Sequence, residues 1–319
     1  MKVGIIGAGH IAEKMSATLQ KMPQHQCYAV GSRSLEKARS FAAAWGFEKA
    51  YGSYLELVKD PEVDLVYVAT PHSCHFEQVK MAVEHGKPVL CEKTFMMNAR
   101  EAEEVFALSE SRGVFVTEAI WTRYEPFMAT IRDLVRDGVV GEPSLLSASL
   151  SYPVTHKERV MAPELGGGAL MDVGVYALNF ARMVFGGDIS SVRSHAVMSP
   201  RGVDLQNSIS LVYGDGRMAN LQSSVLCAND RQGIISGSTG YLVVDNINNP
   251  LHADLYAKDH TLVESFDAPP QITGFEYQVE ACAEALRHGW LESPFMPHAE
   301  SIAVMRMMDY LLGEWVSAN

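Results

Sequence analysis

Apolar residues in the first 120 positions follow two alternating periods. Short apolar runs of strand length occupy residues 2–7, 26–31, 64–70, 88–91 and 114–118. Apolar residues at helical spacing lie between them, in residues 10–22, 34–45, 73–85 and 98–112. Buried strands that alternate with helices of about ten or more residues are typical of parallel sheets with right-handed crossovers. The pattern therefore predicts an α/β fold that begins with a Rossmann domain, a doubly wound parallel sheet, over residues 1–120.

The pattern changes after about Pro143, where strand-like stretches follow one another directly. These stretches are residues 144–152, 189–197, 206–213, 217–225, 232–238, 241–245, 253–257 and 261–266. Helical spacing returns at residues 168–185, 274–288 and 298–315. Glycine-containing turns at residues 213–217 and 238–240 predict β-hairpins. We therefore expect a C-terminal α+β domain over residues 121–319, with a large, open and mainly antiparallel sheet.

Composition and charge exclude several classes of partner. The 319 residues exceed what one hydrophobic core usually serves, which agrees with two domains. A net charge of −12 makes nucleic acid a poor partner, because an acidic chain gains nothing from counterion release. The five cysteines are scattered without a metal-ligand spacing, so we expect buried free thiols and no metal. The chain starts directly with a strand and has no apolar run of membrane-spanning length, so we expect a cytoplasmic protein.

A glycine motif joins the first strand to the first helix. Gly7 permits a tight turn, and Gly9 lacks the Cβ that would block a pyrophosphate. His10 and Ile11 open the helix, whose N-terminus offers free N–H groups to phosphate, and Ala12 lets the helix pack closely on the strand. The motif predicts that a nicotinamide dinucleotide binds here. The alternative is a glycine turn in an α/β domain without a ligand.

The end of the second strand bears on the choice between NADP and NAD. An NAD site normally places an acidic residue there to bind the ribose 2′-hydroxyl. This chain has no acidic residue at that point before Glu36. Ser32 and Arg33 suit a 2′-phosphate instead, since they offer a hydroxyl and a charged planar guanidinium. We expect NADP rather than NAD, with a solvated surface role for Arg33 as the alternative.

A second candidate cofactor loop follows the strand at residues 64–70. Its residues Thr70, Pro71 and His72 lie at the carboxyl edge of the sheet, where such folds bind ligands. Thr70 and His72 could line the nicotinamide ribose. His75 belongs to the same candidate set, with packing on the loop as an equal alternative.

Candidate acid/base residues follow the strand at residues 88–91 and lie in the second domain. Glu92 and Lys93 end the strand at residues 88–91, and a lysine at the end of a buried strand is unfavourable unless it has a task or reaches solvent. Asp172 and Tyr176 are four residues apart, so they share one helix face. A lysine ammonium stabilises a phenolate, so Lys93 and Tyr176 would form a workable acid/base pair. The alternative for Tyr176 is a half-buried helix aromatic.

A short aromatic and cationic segment follows the last strand of the first domain. Trp121, Arg123 and Tyr124 combine flat apolar surface with a fixed charge, which suits a ring-shaped polar substrate. The alternative is a packing cluster at a domain hinge.

Together these motifs resemble the glucose–fructose oxidoreductase / inositol dehydrogenase / MocA family. The resemblance rests on residues 7–12, Glu92-Lys93, residues 121–124, Asp172-x-Gly174-x-Tyr176, and residues 167–172, 292–294 and 297–301. It spans essentially the whole chain. It implies the two-domain fold predicted above and a homodimer formed through the C-terminal sheet. It also implies that Lys93 and Tyr176 act at the nicotinamide, and that Asp172 orients the substrate or the lysine.

Two positions depart from the common family pattern. Many relatives have histidine where Tyr176 stands, and the tyrosine points to the glucose–fructose and dihydrodiol branches of the family. Thr94 stands where most relatives have a proline, often after a cis peptide bond. Since a cis bond is far less favourable without proline, the sequence leaves the Lys93–Thr94 peptide open between cis and trans.

The leading functional hypothesis is an NADP-dependent dehydrogenase. It would move a hydride between the nicotinamide and a hydroxyl-bearing carbon of a cyclic polyol, such as a pyranose sugar or a trans-dihydrodiol. One alternative is a reductase of an unsaturated or carbonyl compound, as in biliverdin-reductase-like members. Another is a non-enzymatic NADP sensor, against which the retention of Lys93, Asp172 and Tyr176 argues. Substrate specificity is expected in the loop of residues 154–165, in the helix after Gly168 and on the open face of the C-terminal sheet.

Overall fold

The computed structural model describes residues 1–317 and contains two β-sheets. The first is a six-stranded parallel sheet with strand order 3-2-1-4-5-6, the order of a doubly wound nucleotide-binding fold. Its strands are β1 (Lys2–Ile6), β2 (Gln26–Gly31), β3 (Lys49–Tyr51), β4 (Leu65–Val68), β5 (Val89–Glu92) and β6 (Val116–Ala119). The predicted Rossmann sheet is confirmed.

Helices connect the strands of this sheet. They are α1 (His10–Leu19), α2 (Leu35–Trp45), α3 (Tyr54–Lys59), α4 (His75–Glu84) and α5 (Ala99–Arg112). The central strands β1, β4, β5 and β6 are buried along nearly their whole length, which explains their continuous apolar sequences. Their carboxyl ends meet at one edge, and this edge carries the candidate cofactor loops.

One strand of this sheet and one of its connecting helices were not predicted from the sequence. Strand β3 has only three residues, all half-buried, so it shows no apolar pattern. Helix α3 has six residues, but Ser53 and Glu56 form a reciprocal capping box at its start. The Ser-x-x-Glu sequence was therefore a usable signal for α3.

The second sheet has eight strands in the order 14-13-12-11-7-10-9-8. Its strands are β7 (Pro143–Ser151), β8 (Ile189–Met198), β9 (Asp204–Tyr213), β10 (Met218–Ser224), β11 (Gly233–Gly237), β12 (Gly240–Val244), β13 (His252–Ala257) and β14 (Leu262–Asp267). All neighbouring strands are antiparallel except β7 and β10, which run parallel. The predicted mainly antiparallel sheet and both predicted hairpins are confirmed.

Five further helices complete the described chain. They are α6 (Pro126–Arg136), α7 (Glu158–Met161), α8 (Val175–Phe185), α9 (Glu276–His288) and α10 (His298–Ser317). The predicted helix at residues 168–185 is a π-helical turn, Leu170–Gly174, followed by α8. Helices α6 and α7 were not predicted. No helix within residues 1–317 is both long and apolar enough to span a membrane.

The chain folds into two compact units, each of which is discontinuous in sequence. The first comprises Met1–Trp121 and Gln271–Arg306, and the second comprises Thr122–Pro270 and the part of α10 from Met307 onward. This partition differs from the predicted division into residues 1–120 and 121–319, because α9 and the first half of α10 belong with the parallel sheet. The apolar core of that unit includes Phe275, Val279 and Cys282 alongside residues of β1 and α1.

The cysteines are only partly as predicted. Cys27, Cys91 and Cys282 are buried free thiols, as expected. Cys74 is half-buried and Cys227 is exposed, so the prediction of uniformly buried thiols is wrong for these two. Cys227 lies in the connection after β10, where the residues on either side are not part of a sheet.

Candidate active site

The glycine turn after β1 has the local geometry of a pyrophosphate site. A Cβ on Gly7 would lie 2.7 Å from the Ala69 carbonyl oxygen, so only glycine fits between β1 and β4. Gly9 stands at the start of α1, where an added Cβ would meet no atom of residues 1–317 within 4 Å, and none of their side chains caps the helix. Ala12 is fully buried against the sheet. The open helix N-terminus beside His10 therefore fits the phosphates of a dinucleotide.

The two candidate residues in the turn after β2 differ in their exposure to solvent. Ser32 is buried, and its backbone N–H donates to the Tyr51 carbonyl oxygen at 3.1 Å. Its hydroxyl accepts from the Ser34 backbone N–H at 3.4 Å. Arg33 is exposed. Ser34 caps α2 by accepting from the Lys37 N–H at 3.3 Å.

The loop after β4 is fixed by buried polar groups. Thr70 donates from its hydroxyl to Gln78 at 2.6 Å, Pro71 is half-buried, and His72 is buried. His75 is fully buried, with Nε2 2.9 Å from the Thr70 carbonyl oxygen and Nδ1 3.0 Å from that of Phe95.

His75 therefore ties the loop after β4 to the loop after β5. Burial is the main cause that lowers its pKa. Because the ring has no exposed surface, the predicted contact of His75 with a cofactor is corrected here. Its contribution to a ligand site runs through the two loops that it joins, which is the packing role weighed as its alternative.

Glu92 and Lys93 end β5 at the same edge of the sheet. The Tyr67 hydroxyl donates to the Glu92 carboxylate inside the protein. Burial raises the pKa of Glu92 to about 7, against the opposing effects of Tyr67 and Lys93. Lys93 is half-buried, and Thr94 after it is fully buried. The Lys93–Thr94 peptide is cis, which answers the question that the sequence left open.

Asp172 and Tyr176 lie at the start of the helix that follows the glycine run of residues 166–168. Asp172 belongs to the π-helical turn and Tyr176 to the first turn of α8, and both are buried. The wider π-helical turn means that the regular spacing assumed from the sequence does not apply at Asp172. Arg159 donates to the Asp172 carboxylate, with Nη1 2.8 Å from Oδ1 and Nη2 3.4 Å from Oδ2. No sequence motif pointed to Arg159.

The aromatic and cationic segment forms a 3₁₀ turn, Trp121–Tyr124. Trp121 packs on Phe275, with ring centroids 4.8 Å apart. Arg123 donates from Nε to the Asn179 side-chain oxygen at 2.6 Å, and Tyr124 is buried. Trp121 therefore packs against the apolar core of the first unit, and the hydrogen bond of Arg123 joins it to α8. Within residues 1–317, no group of three or more His, Cys, Asp or Glu side chains is arranged to hold a metal ion.

Comparison with known proteins identifies the family. Residues 1–120 match the model described as "Oxidoreductase family, NAD-binding Rossmann fold" of the GFO/IDH/MocA group, and residues 128–243 match the GFO/IDH/MocA C-terminal domain. The chain is 35% identical over 323 residues to trans-1,2-dihydrobenzene-1,2-diol dehydrogenase of Xenopus laevis, covering 98% of this chain and 97% of that protein. The human protein of the same name is 34% identical, over 94% of this chain and 92% of its own. The chain belongs to the GFO/IDH/MocA family.

Solved structures agree with this family assignment. KijD10, a 3-ketoreductase from Actinomadura kijaniata in complex with NADP and TDP-benzene, matches with a TM-score of 0.88 at 27% identity, over 97% of this chain and 96% of that one. Aldose-aldose oxidoreductase from Caulobacter crescentus shares the fold, with a TM-score of 0.88 at 22% identity, over 100% of this chain and 98% of that one. The protein is therefore an NAD(P)-binding oxidoreductase, a dehydrogenase that acts on CH–OH donors.

Proposed function

We propose that this protein is an NADP-linked dehydrogenase of a cyclic polyol, either a pyranose sugar or a trans-dihydrodiol. The observation that carries the proposal is 35% identity to a dihydrodiol dehydrogenase over nearly the whole of both chains. The retention of Lys93, Asp172 and Tyr176 supports it. When bound, the nicotinamide supplies the hydride acceptor. The side chains of this protein accept the proton and orient the substrate.

Tyr176 is proposed to exchange the proton with the substrate hydroxyl oxygen. A phenol ordinarily has a pKa near 10, so it needs a neighbouring cation to act as a base near neutral pH. Lys93 is proposed as that cation, and Asp172 as the group that orients the substrate or the lysine. Trp121, Arg123 and Tyr124 are proposed to contribute to the substrate side of the site.

The activity is tested with a panel of D-xylose, D-glucose, inositols and trans-dihydrodiols, followed by absorbance of the reduced nicotinamide. Lys93→Met and Tyr176→Phe should each lower turnover of the accepted substrate by at least about 100-fold, the usual contribution of a general acid or base. Tyr310→Phe, which removes an exposed phenol, is the matched control and should retain turnover. Near-normal turnover in both site variants would refute the proposed chemistry.

NADP is proposed over NAD on the basis of Ser32 and Arg33, and the NADP complexes of KijD10 support this choice. Arg33→Asp should raise the apparent KM for NADP far more than the apparent KM for NAD. Arg39→Asp, which reverses the charge of an exposed arginine in α2, is the control. Equal changes for the two cofactors would overturn the NADP assignment.

Carbonyl reduction is a second candidate direction. The likeness to a 3-ketoreductase favours it, since the same proton and hydride movements run in reverse. Initial rates in both directions at one pH, with a substrate from the panel and its oxidised product, distinguish the two.

A homodimer through the eight-stranded sheet is also proposed, in a cytoplasmic protein. Leu145 and Met218 face each other in register on β7 and β10 and are both exposed, although they are large apolar residues. Light scattering should give twice the mass of one chain for the wild type. Leu145→Glu combined with Met218→Glu should give a monomer, whereas Leu251→Glu, at an exposed leucine outside the strands, should not. A monomeric wild type would refute this part.

A further inference from the structure

Arg159, in the short helix α7 before the π-helical turn, presents its guanidinium to the Asp172 carboxylate. Arg159 uses both terminal nitrogens of its guanidinium, each on a different carboxylate oxygen. This two-point contact fixes the rotation of the carboxylate. The Asp172 side chain is 9% exposed and that of Arg159 is 44% exposed, so the pair stands at the boundary between the protein interior and solvent.

The backbone on both sides of Arg159 is held in place. Val160 and Ala162 are fully buried. The Val160 carbonyl oxygen accepts from the Gly168 N–H at 2.9 Å, and that of Ala162 accepts from the Gly167 N–H at 3.0 Å. The segment that carries Arg159 is therefore folded back onto the glycine run that leads to Asp172.

The start of the π-helical turn that carries Asp172 is held by a second residue, Asp204, which is the first residue of β9. Its carboxylate accepts from the Leu170 backbone N–H at 2.9 Å and from the Asn207 side chain at 2.8 Å. Asp204 is fully buried, and a Cβ on Gly168 would lie 2.3 Å from its Oδ1. Both the donor and the acceptor of the Arg159–Asp172 pair thus stand on backbone that is held by hydrogen bonds.

We infer that Arg159 is a positioning residue, which holds the Asp172 carboxylate in the orientation that the reaction needs. The inference rests on the proposed function, in which Asp172 orients the reacting groups. Without Arg159 the carboxylate loses the two-point contact that sets its rotation. A misplaced orienting group lowers the rate of the chemical step rather than the binding of substrate. Loss of Arg159 should therefore act on kcat.

The test compares Arg159→Met with Arg201→Met. Arg201 is a neighbouring arginine of nearly identical exposure, 45%, whose Nη2 donates to the Glu158 carboxylate at 2.7 Å. Arg159→Met should lower kcat by about 10-fold or more with less than about a threefold change in KM. Arg201→Met should leave both constants near the wild-type values. Arg159→Lys should recover part of the lost kcat, because it restores the charge but only one contact.

A double-mutant cycle with Asp172→Asn shows whether Arg159 acts through Asp172. If it does, Arg159→Met causes no further loss of kcat in the Asp172→Asn protein. Equal losses in both backgrounds, or equal losses from Arg159→Met and Arg201→Met, would overturn the inference and leave the proposed function standing.

A different result would identify a failure of the proposed function. If Asp172→Asn alone has wild-type kcat, Asp172 does not orient the reacting groups, and the role inferred for Arg159 is refuted together with it. Thermal unfolding midpoints of all variants show which proteins are folded. Should Arg159→Met not fold, Arg159→Lys in the two Asp172 backgrounds gives the same cycle.

Discussion

The buried Glu92 carboxyl should make the stability of this protein depend on pH. Burial raises its pKa to about 7 from the ordinary value of 4.5. Between these two values the folded chain keeps a proton on Glu92 that the unfolded chain has lost. The free energy of unfolding therefore falls as the pH rises. This contribution to stability is fully present below about pH 4.5 and is lost as the pH rises through about 7.

The size of the effect follows from the two pKa values. Their difference corresponds to about 3 kcal/mol over the whole range. About 2.5 kcal/mol of this falls between pH 5 and pH 8. Glu92 is only 6% exposed, so solvent screening takes away little of the effect.

Urea unfolding of wild type, Glu92→Gln and Glu110→Gln at pH 5 and pH 8 measures this pH dependence of the unfolding free energy. The glutamine keeps an acceptor for the Tyr67 hydroxyl but does not titrate. The loss of unfolding free energy between the two pH values should be about 2.5 kcal/mol smaller in Glu92→Gln than in wild type. Glu110 is exposed, and its replacement should leave the pH dependence unchanged. The same pH dependence in wild type and Glu92→Gln would refute the reasoning.

Two further predictions concern local structure. Gly168→Ala should lower the free energy of unfolding by more than about 2 kcal/mol, because the new Cβ meets a φ of +115° and a clash with Asp204. Gly202→Ala, where φ is +88° and the described residues leave open space, should lower it by only about 1 kcal/mol. Equal losses of unfolding free energy in urea would contradict the role of the clash. Cys227 should react with a thiol reagent in the native protein, while Cys282 should react only after unfolding, which peptide mapping of the labelled protein checks.

The strands and long helices could be predicted because their burial follows a simple period. Continuous apolar runs marked β1, β4 and β5, which are buried on both faces, and the alternation in β9 marked a strand buried on one face. The elements that were not predicted are short or irregular. Strand β3 is too brief to show a period, and the π-helical turn before α8 follows no pattern that distinguishes it from a regular helix.

The residues of the candidate site also differ in whether the sequence could predict them. Glycines at a strand–helix junction have a local geometric reason, so the Gly7–Ala12 turn was predictable from neighbouring residues alone. Arg159 and Asp204 were not, because their partners are 13 and 34 residues away in the chain and are chosen by tertiary contact. His75 shows a further limit: its place beside a predicted loop was correct, but the sequence could not show that the ring is enclosed by backbone carbonyl groups.

Buried polar side chains explain why the loops of the candidate site hold a defined conformation. A polar group in the interior is unfavourable unless it is hydrogen-bonded, so each one restricts the backbone that supplies its partners. His75 restricts the loops after β4 and β5 in this manner, and Asp204 restricts the turn that carries Asp172. Apolar contacts alone would leave those turns several conformations of similar energy. Substitutions that remove a polar partner should therefore loosen the loops more than they disturb the sheets.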